Sequence, residues 1–242
     1  QTPFDFDRAD FQIRMSVSEI VNAVRFVIDV AHEHGLFDSE QPKAIEIGNE
    51  PDISGTYHNK PELFAEIVRR AHATIREVSL RAIVVTGGIA NLDRRGFNYL
   101  ERMLRAGLPD DCVIGYHSYR TTDAPEHAHK GFGTREAEFE RLRELAGERR
   151  IWCTESGWHT APSKVGSWPK TRLIQFSDDQ VAEFFAREAR YHADAGTEVF
   201  TYFQLNDGPV ATAYEHRFGI RSLNGKWKPI AKVVSEVAVA VA

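Results

Sequence analysis

Cysteine is nearly absent from this chain: there are two in 242 residues, Cys112 and Cys153. Each lies in an apolar, strand-like run, where a thiol behaves as a small buried hydrophobe. Both are read as free core thiols, so no disulfide framework is implied and the redox compartment is not legible. Long hydrophobic runs are missing too. No stretch approaches the roughly 18 apolar residues of a membrane span. The 30 basic and 35 acidic residues are interspersed, for a net charge of -5. No basic patch argues for nucleic acid, and no acidic arm for a protein partner. No dinucleotide-binding glycine fingerprint follows the first strand, and no His-Glu-x-x-His pair marks a zinc site. No signal peptide is visible. Gln1 is not an initiator methionine, so removal of an N-terminal piece is expected. The protein is then soluble, either cytoplasmic or secreted after processing.

What is present is an alternation. Ser16 or Ser18 is a candidate N-cap, and Ile20, Val21, Val24, Val27, Ile28 and Ala31 recur at helical spacing up to Gly35. A strand over 44–48 follows, then a helix opened by Pro61 with Leu63, Ile67, Val68, Ala71 and Ile75 on one face. Strands are predicted over 82–86, 112–116, 151–154 and 198–203, and helices over 95–106, 134–146, 178–195 and 229–241. Residues 120–133 and 156–176 read as loops. Strict alternation argues for parallel strands joined by right-handed crossovers. The functional-looking residues all fall at the carboxyl ends of strands, which favours a TIM-type (β/α) barrel over a doubly wound sheet. Residues 1–242 are expected to form one such catalytic domain. Only five strands are clear, with a doubtful sixth at 11–15. An eight-unit barrel takes about 250 residues, and up to three units are absent, reduced or supplied from elsewhere.

Two of the strand ends carry acids. In Ile45-Glu46-Ile47-Gly48-Asn49-Glu50-Pro51-Asp52 an alternating run stops at a glycine, an amide, a carboxylate and a proline. A second such end is Ile151-Trp152-Cys153-Thr154-Glu155-Ser156-Gly157-Trp158. Two glutamates at the mouths of two strands are the raw material of glycosidic bond cleavage. Glu46, Gly48 and Glu50 share one parity, as do Ile151, Cys153 and Glu155, so each set is expected to face one side. Glu46 is read as a buried structural acid paired with a base.

In combination these segments resemble the clan A retaining glycoside hydrolases. Gly48-Asn49-Glu50-Pro51 is similar to that clan's acid/base signature, and Thr154-Glu155-Ser156-Gly157-Trp158 to its nucleophile segment. His117-Ser118-Tyr119 resembles a His-x-Tyr found between them, and Lys226-Trp227-Lys228-Pro229 the closing segment before the last helix. The resemblance runs from about Ser16 to the C-terminus. It implies that Glu50 is the general acid/base and Glu155 the nucleophile in a double displacement on a β-linked glycan, with no cofactor. It also implies that Asn49 reads the sugar 2-hydroxyl and that Tyr119 or His117 tunes Glu155. Many clan members end the last strand on a tryptophan beneath the sugar. This chain has Tyr202-Phe203-Gln204 there, so Phe203 or Gln204 is expected to take that place. Trp158 and Trp168, in the loop after Glu155, are candidate sugar-stacking residues.

The shortfall in strands keeps two alternatives open. One is a carbohydrate-binding or scaffold protein with little or no turnover. The other is a split-barrel fragment completed by a second chain or by a homo-oligomer. The clan's usual arginine on an early strand has no clear counterpart, since Arg8 and Arg14 sit in no recognisable motif. The histidine-bearing loop around His127 and His129, with Asp123 and Glu126, lacks metal-ligand spacing and is read as solvated, with no metal site.

Overall fold

The computed structural model describes residues 16–38, 40–120, 122–165, 172–210 and 213–240. The doubtful strand at 11–15, Arg8, Arg14 and Trp168 lie outside these residues. The chain divides into two compact units: residues 1–90, 95–115 and 148–150, and residues 91–94, 116–147 and 151–242.

In the first unit, helix α1 (Val17–Glu33) starts on a capping box: the Glu19 amide donates to Ser16 Oγ at 3.2 Å, and the Ser16 amide donates to the Glu19 carboxylate at 2.6 Å. Two of the orphan amides of the first turn are thereby satisfied. Strand β1 (Ala44–Ile47) pairs in parallel with β2 (Ile83–Thr86), in the register Ala44 to Ile83 and Ile47 to Thr86. Among the described residues β1 pairs with β2 alone. Between them runs α2 (Pro61–Val78), with proline in the first turn, where its missing N–H costs nothing. Its buried Phe64, Ile67, Val68, Ala71 and Ile75 recur at helical spacing and form the core of this unit with Val84, Val85 and Ile89. Helix α3 (Arg94–Arg105) adds Phe97, Leu100 and Met103, and β3 (Ile114–His117) follows.

The second unit contains a sheet in the order β3, β4 (Ile151–Ser156) and β7 (Val199–Tyr202), with β4 and β7 parallel. Helix α4 (Arg135–Ala146) is capped by Thr134, whose Oγ1 accepts the Ala137 amide at 3.2 Å. The stretch predicted as one loop over 156–176 instead contains a short antiparallel pair, β5 (Ser163–Val165) and β6 (Arg172–Ile174). Three-residue strands are too short to show a period against the loop background. Helix α5 (Asp178–Asp194) opens on a second capping box, Ser177 with Gln180, and α6 (Ile230–Ala240) closes the chain. Between α5 and α6, Trp158, Val181, Phe184, Phe185 and Ile230 make an apolar cluster, in which Phe185 stacks on Phe200 with ring centroids 4.6 Å apart.

This unit also buries charge. Arg135, Glu138 and Glu188 are all 0% exposed, and Arg120 is 5% exposed. Arg135 binds the carboxylates of both Glu138 and Glu188, and Arg120 binds Glu138. Two cations face two anions, the condition under which buried charge is tolerated. Next to them, the Tyr116 hydroxyl lies 2.7 Å from both His192 Nδ1 and Thr197 Oγ1. The helix predicted over 134–146 is rich in charge, and the first turn of α4 is the centre of this cluster. The 120–133 loop is not simply solvated either. His127 is exposed, yet His129 Nδ1 sits 3.1 Å from the Leu92 carbonyl and from Glu138, and its Nε2 lies 3.2 Å from Arg120.

Burial pushes the Glu188 carboxyl up, but Arg135, His192 and Ser118 outweigh it and hold the group down at about 2, against 4.5 for a free glutamate. A depressed carboxyl contributes stability that is complete above its unfolded value and is lost as pH falls toward its folded one. Urea unfolding midpoints should therefore drop between about pH 4.5 and 2. In Glu188→Gln part of that slope should vanish, while stability at pH 7 falls by about 3–5 kcal/mol because Arg135 keeps only one of its anions. An unchanged slope would show that Glu188 is not held ionised by this cluster.

Candidate functional site

Glu50 stands on a turn of the first unit. β1 stops at Ile47, Gly48 takes a φ of +80° and Glu50 a φ of 44°. A glutamate in this left-handed region is uncommon, because Cβ crowds the following carbonyl. The alternation expected from Glu46 through Gly48 to Glu50 is thus broken, and parity does not set the direction of Glu50. Backbone bonds hold the turn instead. The Glu50 amide donates to the Gly88 carbonyl at 3.1 Å, and the Ile53 and Ser54 amides donate to the Glu50 carbonyl at 3.1 and 2.9 Å. A side chain at Gly48 would also come within 3.2 Å of the Phe64 ring.

Asp52, which sequence reasoning did not single out, is the buried anchor of this turn. It is 1% exposed, its Oδ1 accepts the Ala90 amide at 2.9 Å, and its carbonyl accepts from Arg95 at 2.6 Å. Burial pushes its carboxyl up, against the pull of the Ala90 hydrogen bond. Glu46 is corrected: it is exposed rather than buried, and its Oε1 accepts the Gly88 amide at 3.0 Å. Strand parity says which side Glu46 faces and not what covers that side. The 46–52 stretch and the 86–90 segment are thus joined by three bonds. Asn49 is exposed beside Glu50, which is half-buried.

Glu155 stands near the end of β4 in the second unit, with 31% of its side chain exposed. Tyr119 donates its hydroxyl to Glu155 Oε2 at 2.8 Å, a normal hydrogen bond. His117 Nδ1 lies 3.8 Å from the same oxygen, beyond hydrogen-bond range, and the imidazole is fully buried. Of the two residues expected to tune Glu155, Tyr119 is the one that bonds it. The backbone closes the arrangement, since the Ser118 amide donates to the Glu155 carbonyl at 3.0 Å. The register between β4 and β7 shifts between Cys153 and Ser156, so the strand is irregular where Glu155 sits.

Aromatic rings pack around the Tyr119 that bonds this glutamate. Tyr119 meets Phe218 edge to face at 5.8 Å and Phe203 at 6.4 Å, and His159 meets Phe218 at 5.3 Å. Phe218 had no motif to announce it. Phe203 and Gln204 are half-buried, and Gln204 Nε2 donates to the Glu215 carbonyl at 2.9 Å. Gly157 has a steric reason: a Cβ there would come 2.7 Å from the Phe203 carbonyl. Trp158 does not take the place expected of it. The ring is 0% exposed, packs against Phe184 at 5.7 Å and donates Nε1 to the Asp123 carbonyl at 2.9 Å. Its apolar surface is satisfied by the α5–α6 core, so it presents no face to a sugar. In the closing segment, Lys228 reaches buried Asp207 at 2.8 Å while Trp227 remains 57% exposed.

No family model and no curated protein matches this chain. Solved structures do. A family 39 glycoside hydrolase from the gut symbiont Bacteroides cellulosilyticus aligns over 92% of this chain and 45% of its own, with a TM-score of 0.65 at 17% identity. A GH39 β-xylosidase from Caulobacter crescentus aligns over 93% and 48%, with a TM-score of 0.62 at 15% identity. Fungal β-1,4-galactanases align over 90% and 68%, with a TM-score of 0.68 at 14% identity. The fold is therefore the TIM-type (β/α) barrel of these hydrolases, in partial or reduced form. The chain spans less than half the length of the first two. No helix among the described residues is long and apolar enough to cross a membrane.

The left-handed backbone at Glu50 generates a test. Glycine adopts positive φ without a Cβ penalty, whereas alanine retains it. Glu50→Gly should be more stable than Glu50→Ala by about 1 kcal/mol in urea unfolding, the reverse of their order at an ordinary extended position. An Ala variant as stable as the Gly variant would show that the turn is not strained.

Proposed function

We propose that this chain is a glycoside hydrolase that cleaves a β-glycosidic bond with retention, residues 1–242 acting as one catalytic domain. The observation that carries the reading is the half-exposed Glu155 at the end of a parallel strand, accepting the Tyr119 hydroxyl at 2.8 Å. The barrel fold supports it, as does the held turn that carries Glu50. Solved neighbours named for β-xylosidase, β-1,4-galactanase and exo-β-1,4-mannosidase activities point to a β-linked oligo- or polysaccharide or glycoside as the substrate class.

In the first step the Glu155 carboxylate attacks the anomeric carbon. The bond to the leaving oxygen breaks, and the Glu50 carboxyl donates its proton to that oxygen. A glycosyl ester on Glu155 results. In the second step water attacks the same carbon, Glu50 accepts its proton, and the ester bond breaks to restore the Glu155 carboxylate. Tyr119 holds one carboxylate oxygen and stabilises the charge that returns to it when the ester breaks. Exposed Asn49, next to Glu50, is proposed to bond the sugar 2-hydroxyl. Phe203 and Gln204 are proposed to line the sugar site, and His117 to support the Tyr119 ring, which it meets edge to face at 6.0 Å. No cofactor enters these steps.

A second reading has its own support in the chain's short span of its neighbours: a carbohydrate-binding or scaffold protein without turnover, or one fragment of a barrel completed by another copy. The two separate in one experiment. Glu155→Ala should abolish cleavage of an activated aryl β-glycoside, by at least about 10³-fold, and added azide should restore turnover with a glycosyl azide of inverted anomeric configuration. Glu50→Ala should lose far more rate on poor leaving groups than on dinitrophenolate, which needs no proton. No turnover by the wild-type protein across a panel of aryl β-glycosides, with sugar binding retained, would favour the second reading.

A further inference from the structure

The segment that serves Glu155 is gripped from behind. His117 and Tyr119 face the glutamate, and Ser118 between them is fully buried. Its hydroxyl donates to Glu188 and accepts from Arg135, both members of the buried charge cluster. Arg120, also in that cluster, donates Nη1 to the Tyr119 carbonyl at 2.8 Å and Nε to the His127 carbonyl at 2.8 Å. The Ser118 amide meanwhile donates to the Glu155 carbonyl at 3.0 Å. The backbone on both sides of Tyr119 is thus bonded to groups that cannot move separately, since Arg135 and Arg120 share Glu138.

We infer that Arg135 and Ser118 are positioning residues for the nucleophile: the buried Arg120–Glu138–Arg135–Glu188 cluster acts through Ser118 to hold the Tyr119 hydroxyl on Glu155. The function of the cluster in catalysis rests on the hydrolase reading given above; its mechanical role does not. Its four charges are paired among themselves, and the Ser118 hydroxyl also supports the ionised Glu188 carboxylate. What the hydroxyl adds beyond that is a link between the rigid cluster and the backbone that carries the Tyr119 ring. A side chain beside a nucleophile must be held to within about 0.5 Å to be useful, and supporting bonds of this kind supply that precision.

The test is Ser118→Ala, which removes the hydroxyl link while leaving Arg135 paired with Glu138 and Glu188 and the Arg120 bond to the Tyr119 carbonyl in place. Arg135→Met breaks the cluster itself and is expected to lower stability, so the serine variant decides. In a crystal structure of Ser118→Ala the Tyr119 hydroxyl should move out of hydrogen-bond range of Glu155 while the Arg135–Glu188 pair persists. In kinetics, kcat should fall about 10-fold with KM little changed, and adding Ser118→Ala to Tyr119→Phe should cause no further loss. An intact 2.8 Å bond in the variant, or losses that simply multiply in the double variant, would overturn the proposal. If the wild-type protein cleaves no glycoside, the crystal structure still decides the mechanical link, and only the hydrolase reading fails.

Discussion

Charge buried without water must be paired with charge, and in the second unit this requirement organises the surroundings of Glu155. Arg120, Arg135, Glu138 and Glu188 come from a loop and two helices, yet none reaches solvent appreciably. Removing any one leaves a partner exposed to the low-dielectric interior, a loss larger than the pair itself contributes. Such a cluster has few alternative arrangements. Whatever it bonds inherits that definition, and it bonds the Ser118 hydroxyl and the Tyr119 carbonyl.

The first unit reaches a comparable result at its turn through main-chain bonds. Glu50 stands in a backbone conformation that a glutamate avoids when free, held by the Gly88 carbonyl on one side and by buried Asp52 on the other. Strain of this kind persists only where surrounding bonds over-determine it, and it collects at functional positions. The two glutamates thus rely on different supports. Glu50 is placed by main-chain geometry, whereas Glu155 is placed by a strand end and a hydroxyl. Unlike environments are what the proposed chemistry asks for, since one carboxyl must give a proton and the other must attack as an anion.

The aromatic residues near Glu155 divide by burial rather than by position in the chain. Trp158 follows the acid closely but turns into the α5–α6 core, where its large apolar area is covered and its N–H finds a carbonyl. Phe203 and Phe218, much further along, come back to the Tyr119 ring. A tryptophan beside an acidic strand end is equally suited to either fate by chemistry alone. The space left by Val181, Phe184 and Ile230 decides between them.

By itself the sequence determined the order of the helices and of the five longer strands, though not the short β5–β6 pair, because hydrophobic spacing, serine caps and the glycine and proline stops act over a few residues. It also marked Glu50 and Glu155, since an acid set between such stops at a strand end is a local pattern. Tertiary structure alone decided that Tyr119 rather than His117 bonds Glu155, that Arg135 and Glu138 lie inside rather than on a charged surface, that Glu46 is exposed, and that Trp158 is core. Each of these depends on a partner distant in the chain, as Glu188 is from Arg135, or on a backbone angle imposed from outside, as at Glu50. A pattern of neighbouring residues carries no record of either.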